Sequence, residues 1–228
     1  MPDTAQSSFL LALDTSGPAC SVALADCANG KVLSSVIEPM VRGHAEALVP
    51  LVERLLCECN ASFQALSRIA VCIGPGSFAG LRVGLSAAKG YAVATDCEIV
   101  GISAFEAHAR DALNGDWIAL DGRRGEVFMQ RKGDASGQVR LDMADLPDFD
   151  FGQSAIHGPF AIETVAAANL PADRAVVAAD TCAPGAADIE YIAGLGIEAT
   201  PTSHPATLNY MRGADAKPGA GFSIRRAS

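Results

Sequence analysis

Short apolar runs alternate with segments of helical period through the first half of the chain. Residues 9–13, 20–25 and 31–37 read as strands separated by the turn formers Asp14-Thr15-Ser16-Gly17-Pro18 and Asn29-Gly30, which predicts an antiparallel meander. Residues 43–56 place Leu48, Leu51, Val52, Leu55 and Leu56 on one side, an amphipathic helix with Pro50 as a kink or an early-turn irregularity. Residues 69–73 form a continuous apolar run with β-branched members, suited to a strand buried on both faces and so to a parallel sheet. After Gly74-Pro75-Gly76 the apolar positions Leu81, Leu85 and Ala88 return at helical spacing, with Val83, Ala87 and Tyr91 widening the stripe. A strand at 99–101 leads to Ser103, which forms a capping box with Glu106 and opens a helix expected to reach Ala112.

The order β-β-β-α-β-α-β-α then recurs in part. Ala119-Leu120-Asp121-Gly122 repeats the setting of Ala12-Leu13-Asp14-Thr15, and strands at 126–131 and 138–141 complete a second meander. Beyond it the pattern predicts a short strand at 155–157, a helix at 160–168, a strand at 175–179 and a helix at 186–193. From about Thr200 the chain turns rich in Pro, Gly and Ala, and residues 213–228 hold too few apolar side chains to pack, so a frayed tail is expected there.

Composition sets the class. With 228 residues, 50% hydrophobic and 19% charged, the chain can fill one large or two small globular domains. A net charge of −9 argues against a broad nucleic-acid-binding face, so an RNA substrate would have to be held mainly by a partner. The seven cysteines include no C-x₂-C pair, and several lie in apolar runs, which suits free thiols in a reducing compartment. Residues 1–13 lack a basic stretch followed by a long apolar one, and nothing approaches the roughly 20 apolar residues of a membrane span. The expectation is a cytoplasmic protein with no membrane contact.

The turn after residues 69–73 is the first candidate for chemistry, because a strand, a glycine turn and a helix N-terminus can cradle phosphate. A P-loop is excluded: Gly80 is followed by Leu81-Arg82, with no lysine for phosphates and no hydroxyl for Mg²⁺. Gly74-Pro75-Gly76-Ser77-Phe78-Ala79 satisfies G-x-G-x-x-A, yet Asp96 and Glu98 precede the next strand, where dinucleotide binding requires an acid at its end. Close packing of helix on sheet is the simpler use of these glycines. Ser77 resembles a nucleophile elbow but has Ala79 where G-x-S-x-G needs glycine, and a helix-capping role explains it equally well.

A duplicated βββαβαβα unit with an aspartate turn after each first strand resembles the actin-like, ribonuclease H-like (ASKHA) fold: α/β, two lobes, the second abbreviated. More narrowly, DTSGPACSVAL, GHAEALVPLVERLL, GPGSFAGLRVGLSAAKG and ALDGRRGEVF are similar to the bacterial TsaB (YeaZ) family, part of the machinery that makes N6-threonylcarbamoyladenosine on tRNA. The resemblance covers residues 8–131, thins over 134–200 and returns at Leu208-Asn209-Tyr210-Met211-Arg212. It implies an N-terminal lobe at 1–115, a C-terminal lobe at 116–212 and a flexible tail at 213–228.

The resemblance also bears on sites. The catalytic relative, TsaD, binds a metal through two histidines at i and i+4, which share one helix face. In this chain Ala104 stands at the first of these positions and His108 at the second, while His44, His157 and His204 have no partner at ligand spacing, so neither a metal nor a catalytic residue is expected. Asp14, Thr15, Ser16, Asp121 and Gly122 would be vestiges of the fold's two phosphate turns, with Arg123-Arg124 able to clamp a phosphate or pair with carboxylates, and no cofactor is expected. The two N-terminal helices carry more apolar residues than one face of a sheet requires. His44, Leu48, Leu51, Leu55, Leu81, Arg82, Leu85 and Ala88 are therefore the expected interface. Its implied occupants are a TsaD-like subunit or, in its absence, a second copy, with a TsaE-like ATPase in the same complex and tRNA reaching the chain only through that complex. The expected role is a non-catalytic partner; an ATP-binding phosphotransferase or ATPase of the same fold is the alternative.

Overall fold

The structure is a computed structural model in which residues 8–177 and 183–211 are described. Two five-stranded mixed sheets organise them. The first is built from β1 (Phe9–Asp14), β2 (Ala19–Asp26), β3 (Val32–Pro39), β4 (Leu66–Gly74) and β5 (Glu98–Ser103), in the order β3-β2-β1-β4-β5. The second uses β6 (Trp117–Arg123), β7 (Glu126–Arg131), β8 (Val139–Asp142), β9 (Ile156–His157) and β10 (Ala175–Val176), in the order β10-β9-β6-β7-β8. Counted from the first strand of each meander, the two orders are the same, with two antiparallel partners on one side and two parallel ones on the other.

The helices are α1 (His44–Glu58), α2 (Phe78–Thr95), α3 (Ala104–Ala107), α4 (Ala161–Ala167) and α5 (Ile189–Glu198). β1 and β4 are apolar throughout because the sheet is covered twice. Leu11, Leu13, Ile69 and Val71 meet the leucines of α1 together with Leu85 and Ala88 of α2 on one face. Leu10, Ala12 and Ala70 meet Ile189, Ile192 and Ala193 of α5 on the other. Pro50 is exposed and does not interrupt α1.

Three expectations are corrected by tertiary contacts. The helix expected to reach Ala112 ends after one turn: its capping box of Ser103 and Glu106 forms, but Lys132 Nζ draws off the carbonyls of Ala109 and Ala112 at 2.9 and 2.6 Å, and the chain there runs in tight turns. The helix expected at 186–193 starts three residues later, because Asp188 caps it by accepting from the N–H groups of Glu190 and Tyr191. Last, chain position puts that helix in the 116–212 lobe, yet α5 packs on the first sheet. Gly196 lets it approach so closely that a Cβ there would lie 2.5 Å from Ala70, and the Arg68 guanidinium holds its end through the carbonyls of Gly196, Ile197 and Ala199. Part of the strand expected at 175–179, and all of the tail at 213–228, lie outside the described residues.

Beyond α5 the chain stays on the first sheet. Gly101 N–H donates to the His204 carbonyl and Asn209 N–H to the Ile73 carbonyl, each at 2.9 Å, which brings Tyr210 to the first turn of α2.

Candidate functional site

An aspartate closes β1 and another stands two residues before the end of β6. Asp14 Oδ1 accepts from Ser16 N–H at 2.8 Å, and Asp121 Oδ1 accepts from Arg123 N–H at 2.7 Å, the same side-chain turn in both sheets. A second correspondence lay in the sequence and escaped the pattern reading. Gly74-Pro75 stands at the end of β4 and Gly158-Pro159 follows β9, the glycines having positive φ of 98° and 103°.

The surroundings of the two aspartates differ. Asp14 and Thr15 are each 2% exposed. The Thr15 hydroxyl donates to the Gly80 carbonyl at 2.7 Å and Ser77 N–H donates to the Ser16 carbonyl at 2.8 Å, so the glycine loop is stitched onto the aspartate turn. Only glycine fits: a Cβ at Gly80 would lie 1.9 Å from the Thr15 carbonyl oxygen, and one at Gly76 2.7 Å from that of Ser16. Asp14, Thr15 and Ser16 are thus brought together with the G-P-G-S-F-A-G loop, which packs directly on the Thr15 and Ser16 backbone. Ser77 caps α2 through Gly80 N–H, as its alternative role required. Asp121, by contrast, keeps a 40% exposed side chain and pairs with Arg123 at 3.4 Å, and Gly122 abuts the Glu126 carbonyl across the hairpin.

Buried thiols and one imidazole surround Asp14. Cys72 Sγ donates to Ser16 Oγ at 3.4 Å, and burial, then Asp14, push its thiol up. Cys20 is pushed up to about 12, again by burial first and then by Asp14 and Glu38. These are packed, protonated thiols and not nucleophiles. His108 is held down to about 4 by desolvation, which the Asp14 charge only partly opposes. Among the described residues no group of three or more His, Cys, Asp or Glu side chains could hold a metal ion, and no helix is long and apolar enough to cross a membrane.

The expected interface stripe divides. Leu48, Leu51, Leu55, Leu81, Leu85 and Ala88 are buried, all but Leu81 in the core under the first sheet, so the apolar surplus is largely spent within the monomer. His44 is buried at the start of α1 with Nε2 unpartnered, and Arg82 is exposed, its guanidinium 3.9 Å over the Phe78 ring and its Nε donating to the Tyr210 hydroxyl. What remains open is a groove of about 380 Å³ between α1 and α2, lined by Ala45, Leu48, Val49, Arg82, Val83, Ser86 and Ala87. Val49, 45% exposed, was missed because it stands off the leucine stripe; an apolar residue on the solvent side of an amphipathic helix was the available signal.

Two mixed sheets of matching order, each with an aspartate turn behind its first strand, define a two-lobed actin-like α/β protein. Residues 31–187 match the family model described as TsaD, tRNA N6-adenosine threonylcarbamoyltransferase, and the chain belongs to that family. Within it, the likeness to TsaB is borne out. The chain is similar to the tRNA threonylcarbamoyladenosine biosynthesis protein TsaB of Escherichia coli, 32% identical over 124 residues that make up 52% of each chain, and to that of Bacillus subtilis, 34% identical over 122 residues with the same coverage. The chain thus spans about half the length of these curated relatives. An uncharacterized protein of Mycobacterium tuberculosis is 29% identical over 215 residues, 93% of this chain and 96% of its own. The solved structure of YeaZ from Pseudomonas aeruginosa superposes with a TM-score of 0.65 at 27% identity, covering 90% of this chain and 100% of that one.

Proposed function

We propose that this chain is a non-catalytic partner of a TsaD-type threonylcarbamoyltransferase in forming N6-threonylcarbamoyladenosine at position 37 of tRNA. It holds that enzyme through the groove between α1 and α2, with a TsaE-like ATPase in the same complex and tRNA engaged only through it. The observation that carries this reading is the groove itself: Val49, Val83 and Ala87 leave an apolar channel open to solvent on a lobe whose sheet is already covered on both faces. Burial of Asp14 and Thr15 under the glycine loop supports a binding role over phosphate chemistry at the first turn, and Ala104 at the first metal-ligand position of the TsaD helix points the same way.

The test is charge placed in the groove and not in the core. Val49→Glu combined with Ser86→Glu, both exposed and lining the groove, should leave the far-ultraviolet spectrum and melting temperature near those of the parent, abolish co-elution with TsaD, and lower threonylcarbamoyladenosine in tRNA when it replaces the parent in cells. A folded double variant that still co-elutes with TsaD would sink the reading, and ATP turnover by the purified chain alone would favour an ATPase instead.

A further inference from the structure

We propose that the occupant of the groove is a single helix of the TsaD-type subunit, and that this helix presents a carboxylate to Arg82 one turn away from its apolar contacts; the identity of the subunit rests on the function proposed above. The shape of the channel favours a helix. Its walls are themselves helices, running about 6 Å from Ala45 to Val49 on α1 and about 8 Å from Arg82 to Ala87 on α2. Backbone groups inside a helix are bonded to one another, so the channel has no main-chain partner to offer. An extended segment laid in it would bury N–H and C=O groups with only the Ser86 hydroxyl and the Arg82 guanidinium to meet them. A helix arrives with its own backbone satisfied, and its ridge of side chains fits between two others. Ala45 and Ala87, one on each wall, leave room for that approach.

Charge then specifies the face. Of the residues that line the groove Arg82 alone is charged, and it stands at the N-terminal end of the α2 wall. Its guanidinium is stacked 3.9 Å over the Phe78 ring, and Nε donates to the Tyr210 hydroxyl at 3.2 Å. Both neighbours are neutral. Among the described residues no carboxylate forms an ion pair with Arg82. Covering an unpaired guanidinium strips away its water, and the loss is made good only where an anion takes the water's place. Nη1 and Nη2 form the forked edge that holds both oxygens of one carboxylate. Stacking and the phenol hydroxyl already fix the side chain, so little of its freedom is left to lose on binding.

A phosphate would satisfy the same fork. The rest of the channel is uncharged and largely apolar, however, and the chain carries a net charge of −9, so a polyanion finds one contact here and repulsion around it. Ser86 and Ala87 stand one turn beyond Arg82 and Val83 on α2. A helix lying along the channel therefore sets its carboxylate about three or four residues from the small or apolar side chains that cover Val49 and Ala87.

Titration calorimetry of the full chain with purified TsaD tests this. The parent should bind, with an affinity that falls as NaCl rises from about 0.05 to 0.5 M. Arg82→Gln, at an exposed position, should keep the parent's melting temperature, raise Kd at least about tenfold and remove most of that salt dependence. Arg82→Glu should prevent binding, and one Asp→Arg or Glu→Arg substitution in a helix of TsaD should restore it while weakening binding to the parent. Parent affinity in Arg82→Gln, or no restoring substitution in TsaD, would overturn the proposal. So would loss of tRNA binding with TsaD affinity intact, which would assign the guanidinium to phosphate. Val49→Glu with Ser86→Glu separates the two ways of failing. If that pair abolishes binding and Arg82→Gln does not weaken it, the groove is the interface and the carboxylate anchor alone is wrong; if the pair still binds TsaD, or the parent never does, the function proposed above falls with it.

Discussion

The two sheets share a strand order and little else. In the first, strands of six to nine residues are clamped between α1 and α2 on one face and α5 on the other. In the second, β9 and β10 have shrunk to two residues each and the seven-residue α4 is the helix of its core, completed by Trp117, Phe149 and Phe151 packed edge to face. Strand order survives such erosion because it is fixed by backbone pairing, which two residues can still make, whereas layer thickness depends on side chains that can be exchanged. The aspartate turns show the same division. Both keep their turn hydrogen bond, but one is walled in by glycines and the other stands in solvent. A shared local geometry therefore does not carry a shared accessibility.

The largest expected effect tests the wall. Gly80→Val sets a branched side chain against a backbone oxygen 1.9 Å from its Cβ, where no rotamer change gives relief. It should cost about 3 kcal/mol or more in chemical denaturation. Gly90→Ala in the same helix, with nothing within 4 Å, should instead stabilise by about 0.5–1 kcal/mol. Equal effects at the two positions would remove the packing account of the glycine loop.

The next effect is one of pH. His108, near the Asp14 turn, has a folded-state pKa of about 4 against 6.5 for an unperturbed imidazole. The unfolded chain therefore binds the extra proton first, and stability is complete above about pH 6.5 and falls as pH drops towards 4. The residue as a whole is only half-buried, which holds the loss to about 2 kcal/mol. His108→Gln should flatten that part of the stability profile; a slope unchanged by the substitution would place the titrating group elsewhere.

The smallest effect compares the turns directly. Asp14→Ala leaves the Ser16 N–H without its acceptor beside a buried loop and should cost about 1–2 kcal/mol. Asp121→Ala, at a position where water can replace the carboxylate, should stay within about 0.5 kcal/mol. If Asp121→Ala proves the more damaging, the contrast between the lobes is misread.

Much of this was legible along the chain, for identifiable reasons. The apolar runs at β1 and β4 and the helical stripes of α1 and α2 are local periodicities of adequate length, so the elements of the first sheet fell within a few residues of expectation. The repeated Asp turn was visible because a side-chain turn needs only one residue and its neighbours. Three things were decided by tertiary structure alone. Whether the leucines of α1 and α2 face a partner or their own sheet depends on what covers the far side, and periodicity is the same in either case. That α5 crosses to the first sheet rests on Gly196 and on Arg68, which lies more than a hundred residues away. And how far the vestigial turn at Asp14-Thr15-Ser16 is buried shows only when Gly76 and Gly80 are seen to pack against it, because accessibility belongs to the contacts between segments and not to any one of them.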